Sequence, residues 1–313
     1  MRILLWHVHG SWTTAFVQGG HTYLVPVNAA RDPYGRGRAR TYPWPDTVRE
    51  VPPARLRDED VDVVLLQRPE ERELARHWLG RRVPTVYVEH NTPKGDVPNT
   101  RHPMADRDDL TLVHVTHFNE LFWDNGGTRT TVIEHGIPDP GHRYTGELPR
   151  FGVATNEPVR RGRVTGTDLL SRFAALAPLD VYGIGVSGLA GDRITAYDDP
   201  PQRFLHDELA RRRAYLHLPR WTSLGLSLLE AMFLGMPVLA LAVTEAVRAV
   251  PPGAGVLSTR VEELLDAARW LLVDEPAAHR LGTAARAAAL DRYSLARFLS
   301  DWDRLLKEVS SCA

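Results

Sequence analysis

Residues 219–242 read PRWTSLGLSLLEAMFLGMPVLALA, and the fold of the second half of the chain turns on how this string divides. Small and polar residues from Thr222 to Gly225 precede an apolar run of helical spacing. Gly235 and Pro237 stop that run, and MPVLALA (236–242) then reads as a buried strand. Ser223 is placed as the N-cap of a helix starting at Leu224, with Gly225 letting a ligand approach the first turn. Ser223, Ser227 and Glu230 are spaced by four and three, so they share one stripe while Leu226, Leu229 and Phe233 face a sheet. A carboxylate on the stripe of a polar helix N-terminus can accept hydrogen bonds from a ribose while the N-terminal amides meet a phosphate or a sugar hydroxyl. The same spacing suits a plain strand–helix–strand unit with one exposed Glu, and spacing alone does not separate the two.

Working outward, RFGVAT (150–155), LDVYGIG (179–185), AYLHL (214–218) and GVL (255–257) join MPVLALA as candidate strands. TDLLSRFAAL (167–176), LHDELARRR (205–213), LGLSLLEAMFLG (224–235) and VEELLDAARWLLV (261–273) read as helices between them. The first half shows the same alternation. RILLWHV (2–8), VDVVLLQ (61–67), VPTVYVEH (83–90), DLTLVHVT (109–116) and TTVIEHG (130–136) are near-continuous apolar runs, as parallel strands buried on both faces require. PEERELARHWLG (69–80) and HFNELFWDNGG (117–127) supply helices with glycine stops. The reading is α/β, with two Rossmann-like doubly wound domains: residues 1–140, a Pro/Gly-rich connection (135–150), and residues 150–290. Residues 31–57 show neither period and read as a surface excursion with solvated arginines. In YSLARFLSDWDRLLKEV (293–309), Leu295, Phe298, Leu299, Trp302, Leu305 and Leu306 form one apolar stripe.

A chain of 313 residues with 43% hydrophobic content buries more core than a single small binding module needs. The 38 basic and 39 acidic residues nearly cancel, so no overall field selects nucleic acid or an anionic membrane and any anion site is local. Three consecutive arginines, Arg211 to Arg213, are expected to diverge around a helix end, which makes a poor nucleic-acid patch. The lone cysteine, Cys312, excludes a disulfide framework and a thiolate metal site. The opening run ILLWHV is too short for a signal peptide and no run of about 18 apolar residues occurs, so a cytoplasmic chain with no transmembrane segment is expected.

The 219–242 string closely resembles the donor-binding signature of retaining family 4 glycosyltransferases of the GT-B fold, Glu-x7-Glu followed by Ala-Met-x-x-Gly-x-Pro-Val. Glu230, Ala231, Met232, Gly235, Pro237 and Val238 match, and the first Glu is replaced by Thr222. The resemblance implies two domains facing each other across a cleft, with the helix at 294–309 leaving the second domain to pack on the first. It implies that Glu230 holds the donor ribose and that Ser223, Leu224 and Gly225 present backbone amides to the transferred sugar and phosphates. TTVIEHGIPDP resembles the family's strand ending in Asn-Gly-Val-Asp, with His135 in place of Asn. VTGTDLL resembles the Lys-Gly-x-Asp-x-Leu-Leu helix start, with Thr165 where the phosphate-binding Lys would sit. Arg160, Arg161 and Arg163 lie just upstream, and a guanidinium among them can supply the charge that a leaving diphosphate needs. In the loop His7–Trp12, Gly10 matches the glycine that approaches the diphosphate, and His7, His9, Ser11 and Trp12 fall on the acceptor side. His90, followed by Asn91, resembles the family's His-Asp pair and is expected beside the transferred sugar as the catalytic residue.

The expected activity is therefore transfer of a sugar from a nucleotide-sugar donor to an acceptor hydroxyl on a small molecule or glycan, retaining, with no metal and no cofactor beyond the donor. His114 and His117 flank a strand end, but no carboxylate lies at ligand spacing, and the acidic clusters Asp106–Asp109 and Asp198–Asp199 read as loops. A nicotinamide dehydrogenase is disfavoured because the first strand–loop lacks G-x-G-x-x-G. A nucleotide-sugar epimerase, a sugar-phosphate synthase or a non-catalytic nucleotide-sugar binder of the same fold stays open.

Overall fold

The computed structural model describes residues 1–311; Cys312 lies outside the described residues. The chain forms two compact units, Met1–Ile137 together with the chain from Leu295 on, and Pro138–Ser294.

The first unit is built on β1 (Arg2–Leu5), β2 (Thr22–Pro26), β3 (Val48–Val51), β4 (Val63–Leu66), β5 (Thr85–Glu89), β6 (Thr111–His114) and β7 (Thr130–Val132). These strands form a parallel sheet in the order β3-β2-β1-β4-β5-β6-β7. Ile3, Leu4 and Leu5, and Val63 to Leu66 opposite them, are all buried, because helices cover both faces of the sheet. Those helices include α1 (Gly10–Phe16), α2 (Glu71–Leu79) and α3 (His117–Phe122). Strand order reverses between β1 and β4, so the loops after these two strands lie at the switch point where Rossmann-like sheets take ligands.

The second unit repeats the scheme with β8 (Leu148–Ala154), α4 (Pro158–Arg161), α5 (Leu170–Ala174), β9 (Leu179–Gly183), β10 (Ile194–Asp198), α6 (Gln202–Leu209), β11 (Arg212–His217), α7 (Leu226–Leu234), β12 (Val238–Leu241), α8 (Ala246–Ala249), β13 (Gly255–Ser258), α9 (Val261–Val273) and α10 (Glu275–Arg292). Its parallel sheet runs β10-β9-β8-β11-β12-β13, which puts the switch point between β8 and β11. The chain then returns to the first unit as α11 (Leu295–Ser311). There Phe298, Trp302, Leu305 and Leu306 are buried, and the Trp302 ring lies 5.7 Å from Trp12 and 5.1 Å from Phe16.

Several sequence expectations need correction. β2, β3 and β10 were not anticipated, and neither was α10. β3 and β10 are edge strands carrying exposed residues such as Arg49, Glu50 and Thr195, so they lack the continuous apolar run of a central strand. Helix α10 buries Ala277, Ala278, Gly282, Ala285 and Ala289, side chains too small to give a strong apolar stripe. Residues 31–57 are not a solvated excursion. β3 belongs to the sheet, Trp44 is buried with its Nε1 donating to Thr14 Oγ1, and Arg38 donates to the carbonyls of Trp44, Pro45 and Val48. The arginine run does not splay from a helix end. Arg212 and Arg213 are buried in β11; Arg212 pairs with Asp180 at 2.7 Å, and Arg213 donates to the carbonyls of Leu271 and Leu272 at the end of α9.

Candidate functional site

In the second unit, α7 starts at Leu226 with Gly225 as N-cap and no side-chain capping bond, which corrects both the Leu224 start and the capping role of Ser223. Ser223 and Leu224 are buried, Thr222 is half-buried, and Leu228 rather than Leu226 joins Leu229 and Phe233 in the core. The reason for glycine at 225 is local. A β-carbon there would sit 2.5 Å from Cε1 of His217, the last residue of β11, so the imidazole packs against the start of the helix. Burial lowers the pKa of His217 to about 4, and its Nδ1 is buried without a partner. The sequence reading passed over this histidine because it ends an ordinary apolar strand. Ser227 Oγ accepts from Tyr215 at 2.9 Å and donates to the Ala154 carbonyl at 3.2 Å, tying α7 to β11 and β8. Its hydroxyl is thereby engaged within the fold.

Glu230 is buried at 6% exposure rather than displayed on an open stripe. Its Oε1 accepts from Gln202 Nε2 at 3.1 Å, and its Oε2 lies 3.5 Å from His206 Nε2. A carboxylate has about four acceptor positions, so this one keeps capacity for further donors.

The loop after β8 separates the three arginines. Arg160 pairs with Glu157 at 3.3 Å and Arg163 with Asp168 at 3.2 Å, the latter also held by Arg220 at 2.6 Å. The Arg161 side chain is half-buried and makes no hydrogen bond or ion pair among the described residues. Burial, and secondarily the neighbouring Arg160 charge, holds its pKa below the usual arginine value. An arginine kept in that state is prepared for an anion. Thr165 is buried and bonds to the Gly162 carbonyl and the Thr167 hydroxyl, so it closes the turn and supplies no charge.

In the first unit, the loop after β1 is packed differently from expectation. Trp12 is 1% exposed inside a cluster with Phe16, Phe298 and Trp302, which corrects its placement as an acceptor contact. Ser11 shares a hydrogen bond with the Tyr42 hydroxyl at 3.2 Å, and the Tyr42 ring occupies the space beside Gly10, 2.9 Å from where a β-carbon would lie. His7 packs on Trp44 and meets the Gly37 carbonyl at 3.2 Å through Nδ1, which must therefore carry the proton.

Three of the expected or noted histidines come together. The ring of His90 lies 4.0 Å from that of His9 and, edge-on, 5.0 Å from Trp12; its Nε2 is buried without a partner. Burial, then the nearby His9 and His135, depress the His90 pKa well below the ordinary value. Burial likewise takes His9 to about 4, with Arg68 adding to the shift and Glu89 opposing it. Burial, His9 and Arg297 take His135 to about 3, and its Nδ1 also lacks a partner. Arg297 of α11 donates to the carbonyls of Glu134 and His135, so the returning helix fixes this segment. The cluster is uncharged at neutral pH, with His90 Nε2 and His135 Nδ1 buried and unpartnered.

Beneath it lies a carboxylate that the sequence reading missed. Glu89 accepts from Asn91 N at 2.6 Å and from His102 Nε2 at 3.0 Å; Met104 N donates to His102 Nδ1, which leaves the ring proton on Nε2. Thus Asn91, expected in a motif position, serves with His102 to fix the loop that follows His90. The hydrogen bond between Glu89 and His102 spans 13 residues and carries no local sequence signal. His114 lies in β6 with Nε2 on Asn125 at 3.1 Å, and His117 opens α3.

With this geometry in place, comparisons define the class. Similar solved structures include sucrose-phosphate synthase from Thermosynechococcus elongatus (TM-score 0.76, 14% identity, all of both chains covered). HepE from Anabaena in complex with UDP gives 0.71 and 15%, covering 98% of this chain and all of that one. A glycosyltransferase from Rickettsia africae gives 0.70 and 13%, covering 98% of each. The fold is GT-B, that of two Rossmann-like units. Residues 191–288, from the turn before β10 into α10 and including Glu230, match the family model described as Glycosyl transferases group 1. No curated relative matches the sequence. Among the described residues, no helix is long and apolar enough to cross a membrane.

Proposed function

We propose that the chain is a retaining, metal-independent glycosyltransferase that moves a sugar, a hexose or a close relative, from a nucleoside diphosphate donor to an acceptor hydroxyl. The observation that carries this reading is that the segments following the neighbouring strands β8 and β11 bear, respectively, a partnerless half-buried guanidinium and a buried carboxylate that has acceptor capacity to spare. A nucleoside diphosphate offers the complement of both: anionic oxygens for Arg161 and ribose hydroxyls for Glu230. The match to the group 1 glycosyltransferase model over residues 191–288 supports it. HepE, similar in fold, has been crystallised with UDP and with UDP-glucose.

In this reading Arg161 stabilises the charge that grows on the departing diphosphate, the task a metal performs elsewhere. The acceptor hydroxyl attacks on the face the diphosphate leaves, and a diphosphate oxygen takes the hydroxyl proton, so no separate protein base is required. His90, neutral and buried, positions the transferred sugar by hydrogen bonding; His9 and His135 line the same place. Thr222, in place of an acidic residue, leaves one carboxylate fewer near the donor phosphates.

The deciding experiment is titration calorimetry of UDP, ADP and GDP against the wild type and Glu230→Gln. Loss of charge-assisted bonds worth about 1.5–3 kcal/mol lowers affinity roughly 10- to 150-fold for the diphosphate that binds. Wild-type affinity in folded Glu230→Gln overturns the assignment. Product anomeric configuration by NMR and turnover in the presence of a chelator test retention and metal independence separately.

A further inference from the structure

Among the described residues, the second unit has three non-glycine residues with positive φ: Glu157 at 56°, Asp199 at 44° and Thr244 at 50°. They follow β8, β10 and β12, so all three sit on the carboxyl edge of one parallel sheet, the edge where such sheets take ligands. Aspartate tolerates that conformation, whereas a β-branched residue in it is an outlier. At Thr244 the cause is a tight turn. Ala246 N donates to the Val243 carbonyl at 3.2 Å, and Glu245 has φ −75° and ψ −11°. Positive φ at the first central position, followed by those angles at the second, is the pattern of a type II′ turn, whose first central position belongs to glycine. The far side of the turn is anchored: Glu245 is 1% exposed, with Arg248 at 3.0 Å and Arg292 at 3.5 Å from its carboxylate. The chain thus holds a threonine where glycine would fold at lower cost, and conflicts of this kind persist where the side chain has a task.

The place of the turn says which task. β11 and β12 pair in parallel with His217 opposite Ala240, so the segments that leave them start about 5 Å apart. Under the nucleotide-sugar reading, on which this inference rests, the diphosphate lies at Arg161 after β8 and the ribose at Glu230, whose carboxylate is bonded by Gln202 of α6, the helix that follows β10. A nucleotide sugar is a linear chain of base, ribose, diphosphate and sugar. With its nucleoside on the β10 side of the sheet, its sugar continues the other way, over the ends of β11 and β12. Thr244 is half-buried there, and its hydroxyl makes no hydrogen bond among the described residues, which leaves a donor and an acceptor for a ligand. We propose that Thr244 is a specificity-determining residue for the transferred sugar: its hydroxyl bonds a hydroxyl of that sugar, and the left-handed turn is what aims it.

The test pairs stability with binding in wild type, Thr244→Gly and Thr244→Ser. UDP, ADP and GDP, each beside its glucose, galactose and mannose esters, are titrated into the full chain, and thermal unfolding is followed without ligand. Thr244→Gly relieves the turn and should raise the unfolding midpoint by about 2 °C or more. The same change should weaken the tightest-bound sugar ester about 3- to 10-fold relative to its own diphosphate, while the diphosphate alone stays within about twofold. Thr244→Ser keeps the hydroxyl and should hold that ratio within about twofold of wild type. A merely structural threonine moves the midpoint and leaves the ratio alone, so an unchanged ratio in Thr244→Gly overturns this inference while the diphosphate and ribose assignments stand. A midpoint that fails to rise, or a Thr244→Gly chain that does not fold, removes the strain on which the inference is built and overturns it too. If none of the three diphosphates binds the wild type, this inference and the nucleotide-sugar reading fall together.

Discussion

Replacing Arg161 with Met removes a guanidinium and keeps most of the apolar stem. In the folded chain that cation has no ion-pair partner among the described residues, and burial with the adjacent Arg160 disfavours its charge. Holding it there costs the free protein stability, so Arg161→Met should leave the unfolding free energy unchanged or raise it. The cost falls instead on ligand binding. One or two charge-assisted bonds to a diphosphate are worth about 1.5–3 kcal/mol each, so diphosphate affinity should fall at least 10- to 150-fold, while affinity for the matching nucleoside changes by less than about threefold. Arg160→Met and Arg163→Met serve as controls. Their guanidiniums are occupied by Glu157 and Asp168 in exposed pairs worth at most about 1 kcal/mol, and neither loss should approach that of Arg161. Calorimetric titration with a diphosphate and its nucleoside, alongside urea unfolding, reads both effects. Wild-type diphosphate affinity in Arg161→Met, or an equal loss in Arg160→Met, refutes the assignment of the clamp to Arg161.

Other outcomes follow from the same geometry. His90→Ala should slow sugar transfer while leaving diphosphate affinity within about threefold, since a neutral imidazole gives phosphate little; full turnover would make His90 a packing residue. Trp302→Ala removes a 1%-exposed indole set among Trp12, Phe16 and Phe298, and should cost about 3–5 kcal/mol in urea unfolding; a cost below about 1 kcal/mol would show that α11 is dispensable to the first unit's core. Folded His9, His114 and His217 titrate near 4 and His135 near 3, against about 6.5 when unfolded, so the unfolded chain binds more protons below that pH. Stability is then complete above about pH 6.5 and falls as pH drops towards 4, by up to about 1.4 kcal/mol per pH unit for each such histidine. Denaturation midpoints that stay flat from pH 7.5 to 5 would contradict this burial.

The central strands were legible because a strand with neighbours on both sides and helices on both faces has to be apolar throughout, as Ile3–Leu5, Val63–Leu66 and Val238–Leu241 are. The edges were not, since β3 sets exposed Arg49 and Glu50 side by side between buried Val48 and Val51, a pattern with neither strand alternation nor an apolar run. For the site, the Glu230 string was readable from its local pattern, and the arginine cluster from its charge. Which arginine is available could not be read, because that depends on Glu157 and Asp168 claiming its neighbours.

By itself, then, the sequence determined the alternation of two α/β halves and the position of the Glu230 helix, both consequences of hydrophobic period and stop residues acting over a few turns. Only the tertiary structure decided that Trp12 is core, that His9, His90 and His135 share one uncharged cluster, and that Gln202 and His206 attend Glu230. These bring together residues far apart in the chain, up to 290 positions for Trp12 and Trp302. A carboxylate or an imidazole takes its protonation and its hydrogen-bond partners from what folding brings beside it, and no local period records that neighbourhood.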